Sequence, residues 1–157
     1  EGKISNKPTP VQLAGLLEES IDDMHVLLKP GQTIDQDFSN LDREVMIDNK
    51  ILKNIMLNLL SNAIKYSDAG STVWLKAELE QGLLKVSIRD EGIGIPESDQ
   101  KYLFSRFFRA DNAVNIQGTG LGLNIVHRYL ELLGGEINFK SAEGKGTSFF
   151  FEVPVNN

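Results

Sequence analysis

Two stretches of alternation constrain the fold of this chain more than any other feature. In "STVWLKAELE", residues 71–80, the apolar Val73, Leu75, Ala77 and Leu79 stand two apart between polar neighbours. In "LLKVSIRD", residues 83–90, Leu84, Val86 and Ile88 repeat the pattern after Gln81-Gly82. Successive strand residues face opposite sides, so this period gives one apolar and one polar face, and the Gln-Gly junction predicts a hairpin turn. A second hairpin is expected in "EINFKSAEGKGTSFFFEVP" near the end, with Thr147, Phe149, Phe151 and Val153 on one parity. The apolar faces need a cover.

Helical spacing supplies it. Leu13, Leu16, Leu17, Ile21, Met24 and Leu28 predict a helix from Val11 to Leu28, stopped by "KPG" at Lys29–Gly31. Asp48 is expected to cap a long helix running to about Tyr66, and a shorter one follows from about Glu97. A loop is expected from about Arg109 to Gln117, then a helix from about Leu121 to Leu133, ended by Gly134-Gly135. "TIDQDFS" and "REVMID" are short, poorly alternating and expected as edge strands. Helices and antiparallel hairpins segregate along the chain, which predicts an α+β sandwich with the helices on one sheet face.

The chain has 157 residues, enough for one domain with a sizeable core and short for two. The polar, proline-containing "EGKISNKPTP" reads as a linker remnant, leaving 11–157 as the domain. A formal net charge of -6 argues against a nucleic-acid partner, and the lack of cysteine excludes disulfides and thiolate metal sites. No apolar run approaches the roughly 18 residues that span a membrane.

Function is sought first in "QGTGLGLNIVHRYLELLGG", Gln117–Gly135, where three glycines alternate directly before a helix. Glycines at a helix entrance turn backbone N–H groups toward an anion, helped by the helix dipole. Leu123-Asn124 stands where a P-loop needs Lys-Ser/Thr, and the G-x-G-x-G spacing is not the Rossmann fingerprint. A tight helix cap with no ligand explains one such loop equally well.

Three further clusters shift the balance. In "DEGIGIP", Asp90 follows Ile88, Val86 and Leu84 in core phase, where a carboxylate needs donors, and Gly92 and Gly94 leave room for a flat ligand. A wet turn would explain the glycines but not the phase. On the long helix, at about 100° per residue, Asn58, Asn62 and Lys65 share one face beside the apolar Leu52, Ile55, Leu59 and Ala63, with Tyr66 at the seam. Two amides and an ammonium there suit phosphate and a hard cation such as magnesium, although a solvated helix face is the plainer account of Asn58 alone. On the last strand the Thr147 hydroxyl faces inward and could join Asp90 on a polar ligand edge, or simply bond nearby backbone.

With these residues in view the chain resembles the bacterial sensor histidine kinases. "NLLSNAIKYS", "DEGIGIP", "FSRFFRA", "GTGLGLNIV" and "GKGTSFFF" are similar to that family's N, G1, F, G2 and G3 boxes, in order, across Ile51–Val153. The resemblance implies the catalytic, ATP-binding domain, a two-layer α/β sandwich shared with gyrase and heat-shock chaperone ATPases, with a mixed, mostly antiparallel sheet and three main helices on one face. It implies that Asp90 accepts from the adenine amino group, with Thr147 helping through water and Gly92, Gly94 and Ile95 beside it. Tyr66 would lie along adenine or ribose, Asn62 would ligate Mg, and Asn58 would neighbour it. Lys65 and Arg109 would meet phosphates, and Gly118, Thr119, Gly120, Leu121 and Gly122 would cradle them. Gln117 would add an amide, and residues 97–117 would form an ATP lid in which Phe104, Phe107 and Phe108 staple or dock, at least one of them by plain core packing.

The family's phosphoacceptor histidine lies in a pattern like H-E-x-x-T-P on a separate dimerisation hairpin. His25 and His127 lack the following acid and proline, so neither is expected to accept phosphate. The expected partners are therefore ATP, that hairpin of the parent kinase and, through the whole kinase, a response regulator. The domain is expected to be monomeric, cytoplasmic and without membrane contact. The alternatives are a nucleotide-binding pseudokinase or scaffold module and a gyrase- or chaperone-type ATPase, the latter disfavoured because Asn58 stands where those enzymes place a glutamate.

Overall fold

Gln81 and Gly82 take φ of 51° and 77° in the computed structural model, which describes residues 4–104 and 122–156. Two consecutive left-handed residues make the tight turn whose twist matches paired strands. In chain order the elements are strand β1 (Thr9–Gln12), helix α1 (Leu13–Met24), strands β2 (Thr33–Ser39) and β3 (Glu44–Ile47), and helix α2 (Asn49–Lys65). Strands β4 (Thr72–Glu80) and β5 (Leu83–Asp90), helices α3 (Glu97–Gln100) and α4 (Gly122–Leu132), and strands β6 (Glu136–Ala142) and β7 (Gly146–Pro154) follow.

A five-stranded sheet runs in the order β2-β4-β5-β7-β6. All neighbours are antiparallel except β2 and β4, which pair in parallel from Thr33↔Thr72 to Ser39↔Glu78. The alternating residues form its inner face: Val73, Leu75, Ala77, Leu84, Val86, Ile88, Phe149, Phe151 and Val153 are all buried. Helix α2 covers that face, flanked by α1 and α4. This central place buries Met56, Leu60 and Ile64 as well as Leu52, Ile55, Leu59 and Ala63, a wider apolar surface than one stripe. The opposite sheet face is polar, with the Arg89 guanidinium 4.1 Å from the Trp74 ring centroid.

The N-terminal part differs from the reading above. The predicted helix from Val11 begins at Leu13 and ends at Met24, with a 3-10 turn over His25–Leu27. Thr9–Gln12 forms β1 instead, paired with β3 in a separate two-stranded sheet. Four residues with a proline and one buried side chain, Val11, carry too little pattern to be seen in sequence. Gln12 then caps α1, accepting the Gly15 N–H on Oε1 at 2.6 Å, while Arg43 and Leu41 carbonyls take the N–H groups of Leu13 and Ala14. The polar segment before β1 also holds to the domain: Lys7 N–H donates to Asp48 and Asn6 donates to the Leu132 carbonyl.

Asp48 caps α2 as its sequence indicates. Its Oδ1 accepts the Ile51 N–H at 3.0 Å and its Oδ2 accepts the Lys7 N–H at 2.8 Å. Among the described residues, no helix is long and apolar enough to cross a membrane.

Candidate functional site

The period that sends Leu84, Val86 and Ile88 inward also sends Asp90 inward, at the last position of β5. It is 7% exposed. Its Oδ1 accepts the Gly92 N–H at 2.9 Å and the Thr147 N–H at 3.2 Å, and no other described donor reaches the carboxylate. Burial pushes its pKa up to about 6, against the lowering effect of those two N–H groups. At neutral pH it is therefore an ionised group with one oxygen engaged and one available.

Asp90 borders an open cavity of about 60 Å³ at the C-terminal end of α2. Asn62 and Tyr66 contribute from α2, and Ile93, Gly94 and Ile95 from the loop after Asp90. Leu123 closes it from α4, and Thr147 and Phe149 from β7. The walls are mainly apolar, with Asp90, Asn62 and Thr147 as polar groups, the composition expected where a flat, partly polar ligand binds.

The loop from Glu91 to Pro96 is stitched on both sides. Ile93 N–H donates to the Tyr66 carbonyl at 3.2 Å, and Gly144 N–H donates to the Ile93 carbonyl at 2.7 Å. Ile95 N–H donates to Ser141 Oγ at 2.8 Å, and Ser141 Oγ lies 2.8 Å from Thr147 Oγ1. Gln100 Nε2 spans the Ile95 and Ser141 carbonyls at 3.0 Å each.

This network revises the role of the glycines. A Cβ on Gly92 would overlap the Tyr66 carbonyl, and one on Gly94, whose φ is +69°, would overlap that of Ala142. Both residues admit neighbouring backbone. Gly94 lines the cavity as well, whereas Gly92 does not.

The α2 residues separate. Asn62 and Tyr66 line the cavity. Asn58 does not, since its amide nitrogen donates to the Asn54 carbonyl at 2.8 Å and to Asn54 Oδ1 at 2.7 Å. Lys65 is half-buried and outside the lining. Among the described residues, no three His, Cys, Asp or Glu side chains are grouped to hold a metal ion. Arg109, Gln117, Gly118, Thr119, Gly120, Leu121, Phe107 and Phe108 lie outside the described residues. Gly122 opens α4.

Sequence reasoning missed Ser141, Gln100, Ile93 and Leu123. Ser141 had a signal: folding the last hairpin about its Glu143–Lys145 turn sets it opposite Thr147, as the register confirms. The two histidines sit away from the cavity lining. His25 follows α1, with Nδ1 3.9 Å from Asp22, and His127 on α4 has Nδ1 3.9 Å from Glu131. Phe104 packs against the core, its ring centroid 5.4 Å from that of His127 and 6.1 Å from that of Phe139.

Residues 47–157 match the family described as histidine kinase-, DNA gyrase B-, and HSP90-like ATPase. The chain is 34% identical over 158 residues to the circadian input-output histidine kinase CikA of Synechococcus elongatus, covering 98% of this chain and 21% of the relative. It is 42% identical over 117 residues to the sensor histidine kinase WalK of Bacillus subtilis, covering 72% of this chain and 19% of the relative. The chain thus spans about a fifth of the length of these relatives. The structure of full-length ShkA in complex with AMPPNP superposes with a TM-score of 0.82 at 29% identity, covering 99% of this chain and 33% of ShkA. The chain belongs to the histidine kinase-, DNA gyrase B- and HSP90-like ATPase family, and within it to the catalytic domains of sensor histidine kinases.

Proposed function

We propose that this domain binds ATP with Mg²⁺ in the cavity beside Asp90 and donates the γ-phosphate to a histidine on a separate dimerisation hairpin of its parent kinase. One observation carries the reading: a 7%-exposed carboxylate borders an open, mainly apolar cavity with both described hydrogen bonds on the same oxygen. The adenine amino group offers the donor that the second oxygen lacks. Tyr66, Ile93, Ile95, Leu123 and Phe149 offer apolar walls for the ring. The AMPPNP held by ShkA supports the choice of an adenine nucleotide.

The metal fits only together with the nucleotide. Asn62 brings one neutral oxygen to the cavity, and magnesium takes most of its shell from phosphate and water. When bound, the ion offsets phosphate charge during transfer. Lys65 and Asn58 then serve the phosphate side of α2. Arg109, Gln117 and the 118–122 stretch take phosphate roles on their sequence and their place ahead of α4. The transfer forms a bond from imidazole nitrogen to γ-phosphorus and breaks the bond to the β,γ-bridging oxygen, releasing ADP. Positioning and charge neutralisation do the catalytic work. The parent kinase passes the phosphoryl group to a response regulator, and the domain works as a monomer in the cytoplasm.

Calorimetric titration with Mg-ATP tests this. Wild type should bind one ATP, and Asp90→Asn should bind about 30- to 150-fold more weakly, the upper part of the worth of a hydrogen bond to a charged group. Equal affinities would remove the pocket assignment. Chelating magnesium should weaken ATP more than ADP, and equal weakening would count against Asn62 holding a metal together with the nucleotide.

A further inference from the structure

The segment "KPG", Lys29–Gly31, is read in the sequence only as the stop after the first helix, and Gln32 follows it. In the structure the Lys29 and Gln32 side chains both turn onto the C-terminal end of α2. Lys29 Nζ donates to the Lys65 carbonyl at 3.0 Å and also to the Ser67 carbonyl. Gln32 is 4% exposed. Its Nε2 donates to the Ile64 carbonyl at 3.3 Å, while its Oε1 accepts the Lys29 N–H at 2.9 Å.

The last carbonyls of a helix have no partners within it and carry the negative end of its dipole. An ammonium placed on them is a charge-assisted cap brought from another part of the chain. The Tyr66 carbonyl, lying between those two, accepts the Ile93 N–H. Four consecutive carbonyls, those of residues 64–67, are therefore held from two sides: by Lys29 and Gln32 on one, and by the loop after Asp90 on the other.

This turn joins the Lys29 loop to the cavity. It carries Tyr66, which lines the cavity, and Lys65 beside it. It leaves no slack toward the Asp90 loop, because any Cβ at Gly92 would already overlap the Tyr66 carbonyl. A small movement of the turn therefore moves the loop after Asp90, which carries Ile93 and Ile95.

We propose that Lys29 is a positioning residue for nucleotide binding: its ammonium, outside the cavity, fixes the end of α2 so that Tyr66, Lys65 and the Asp90 loop are set before ligand arrives. The proposal rests on the nucleotide reading given above. The competing account is a cap that contributes to stability alone, and the two differ in what happens to affinity in the folded protein.

The test titrates wild type, Lys29→Met and Lys29→Arg with Mg-ATP well below their unfolding midpoints, beside Asp90→Asn. Methionine keeps a stem of the same length as far as Cε and removes the ammonium. Its affinity should fall about tenfold, the lower end of what losing a support behind a ligand-holding residue costs. Lys29→Arg, which can still reach two carbonyls, should return to within about threefold of wild type. A Lys29→Met protein with a lower unfolding midpoint but affinity within about twofold of wild type would overturn the proposal. If Lys29→Met does not fold, Lys29→Gln takes its place: a fall in affinity of several-fold supports the proposal, and affinity within about twofold of wild type overturns it. Equal ATP affinity in wild type and Asp90→Asn, or none in the folded wild type, would instead remove the nucleotide reading on which the proposal rests.

Discussion

Asp90 holds a charge where electrostatics disfavours one. Its pKa is pushed up to about 6 from 3.8 by burial. Between those values the folded chain binds more protons at this site than the unfolded chain. The site's contribution to stability therefore rises as pH falls from 6 toward 4, by roughly 3 kcal/mol over the whole window. Ligand binding has the opposite dependence, because a protonated carboxyl offers the adenine amino group a poorer acceptor. Adenosine, free of titrating phosphates, should bind about tenfold more weakly for each pH unit below 6. A flat affinity profile from pH 7 to 5 would show that Asp90 is not the acceptor. Asp90→Asn keeps an oxygen for the Gly92 and Thr147 N–H groups and removes the buried charge. It should melt at or above the wild-type temperature at pH 7 while losing nucleotide. The phase of Asp90 was legible from counting back along its strand. The reason for Gly92 was not, because the carbonyl it clears belongs to Tyr66, on another element.

At the scale of the element, α2 joins two tasks at opposite ends. Its N-terminus is capped by Asp48, whose second oxygen also holds the Lys7 N–H, and its C-terminal turn borders the cavity. With about 1.5 Å rise per residue, a 17-residue helix separates those ends by about 25 Å. Asp48→Ala should therefore cost about 2 kcal/mol in urea denaturation, the loss of a cap plus an unpartnered N–H. Mg-ATP affinity should change by less than about threefold, since additivity holds for sites this far apart. A larger loss of affinity would mean that the cap and cavity are coupled along the helix. The helix and its cap were legible because the apolar spacing and Asp48 coincide. Strand β1 was not, since its pairing partner lies some 35 residues away at β3 and its own pattern holds one buried residue. The Gln12 cap escaped for a related reason: glutamine is not among the preferred capping residues, and the carbonyls of Leu41 and Arg43 do most of the capping.

For the whole molecule, local patterns specify four of the five sheet strands and the helices that cover them, whereas the parallel pairing of β2 with β4 depends on a long connection through α2. That connection places the C-terminal turn of α2 beside the end of β5, and the cavity arises where they meet the β6–β7 hairpin. Two of its polar partners, Ser141 and Gln100, are legible only once this arrangement is known. The walls of the cavity therefore come from four separated parts of the chain, so a ligand filling it ties them together and should stabilise the domain as a unit. A ligand at 100 times its dissociation constant adds about 2.7 kcal/mol to the unfolding free energy. For a domain of 157 residues each kcal/mol is worth about 2–4 °C. Mg-ATP at that excess should therefore raise the melting temperature by about 5–11 °C. Asp90→Asn should show little shift at the same concentration, even though its unliganded melting temperature matches or exceeds that of wild type. An equal shift in both proteins would place the nucleotide elsewhere on the domain. A shift confined to wild type would connect the buried charge that destabilises the empty domain to the ligand that stabilises the filled one.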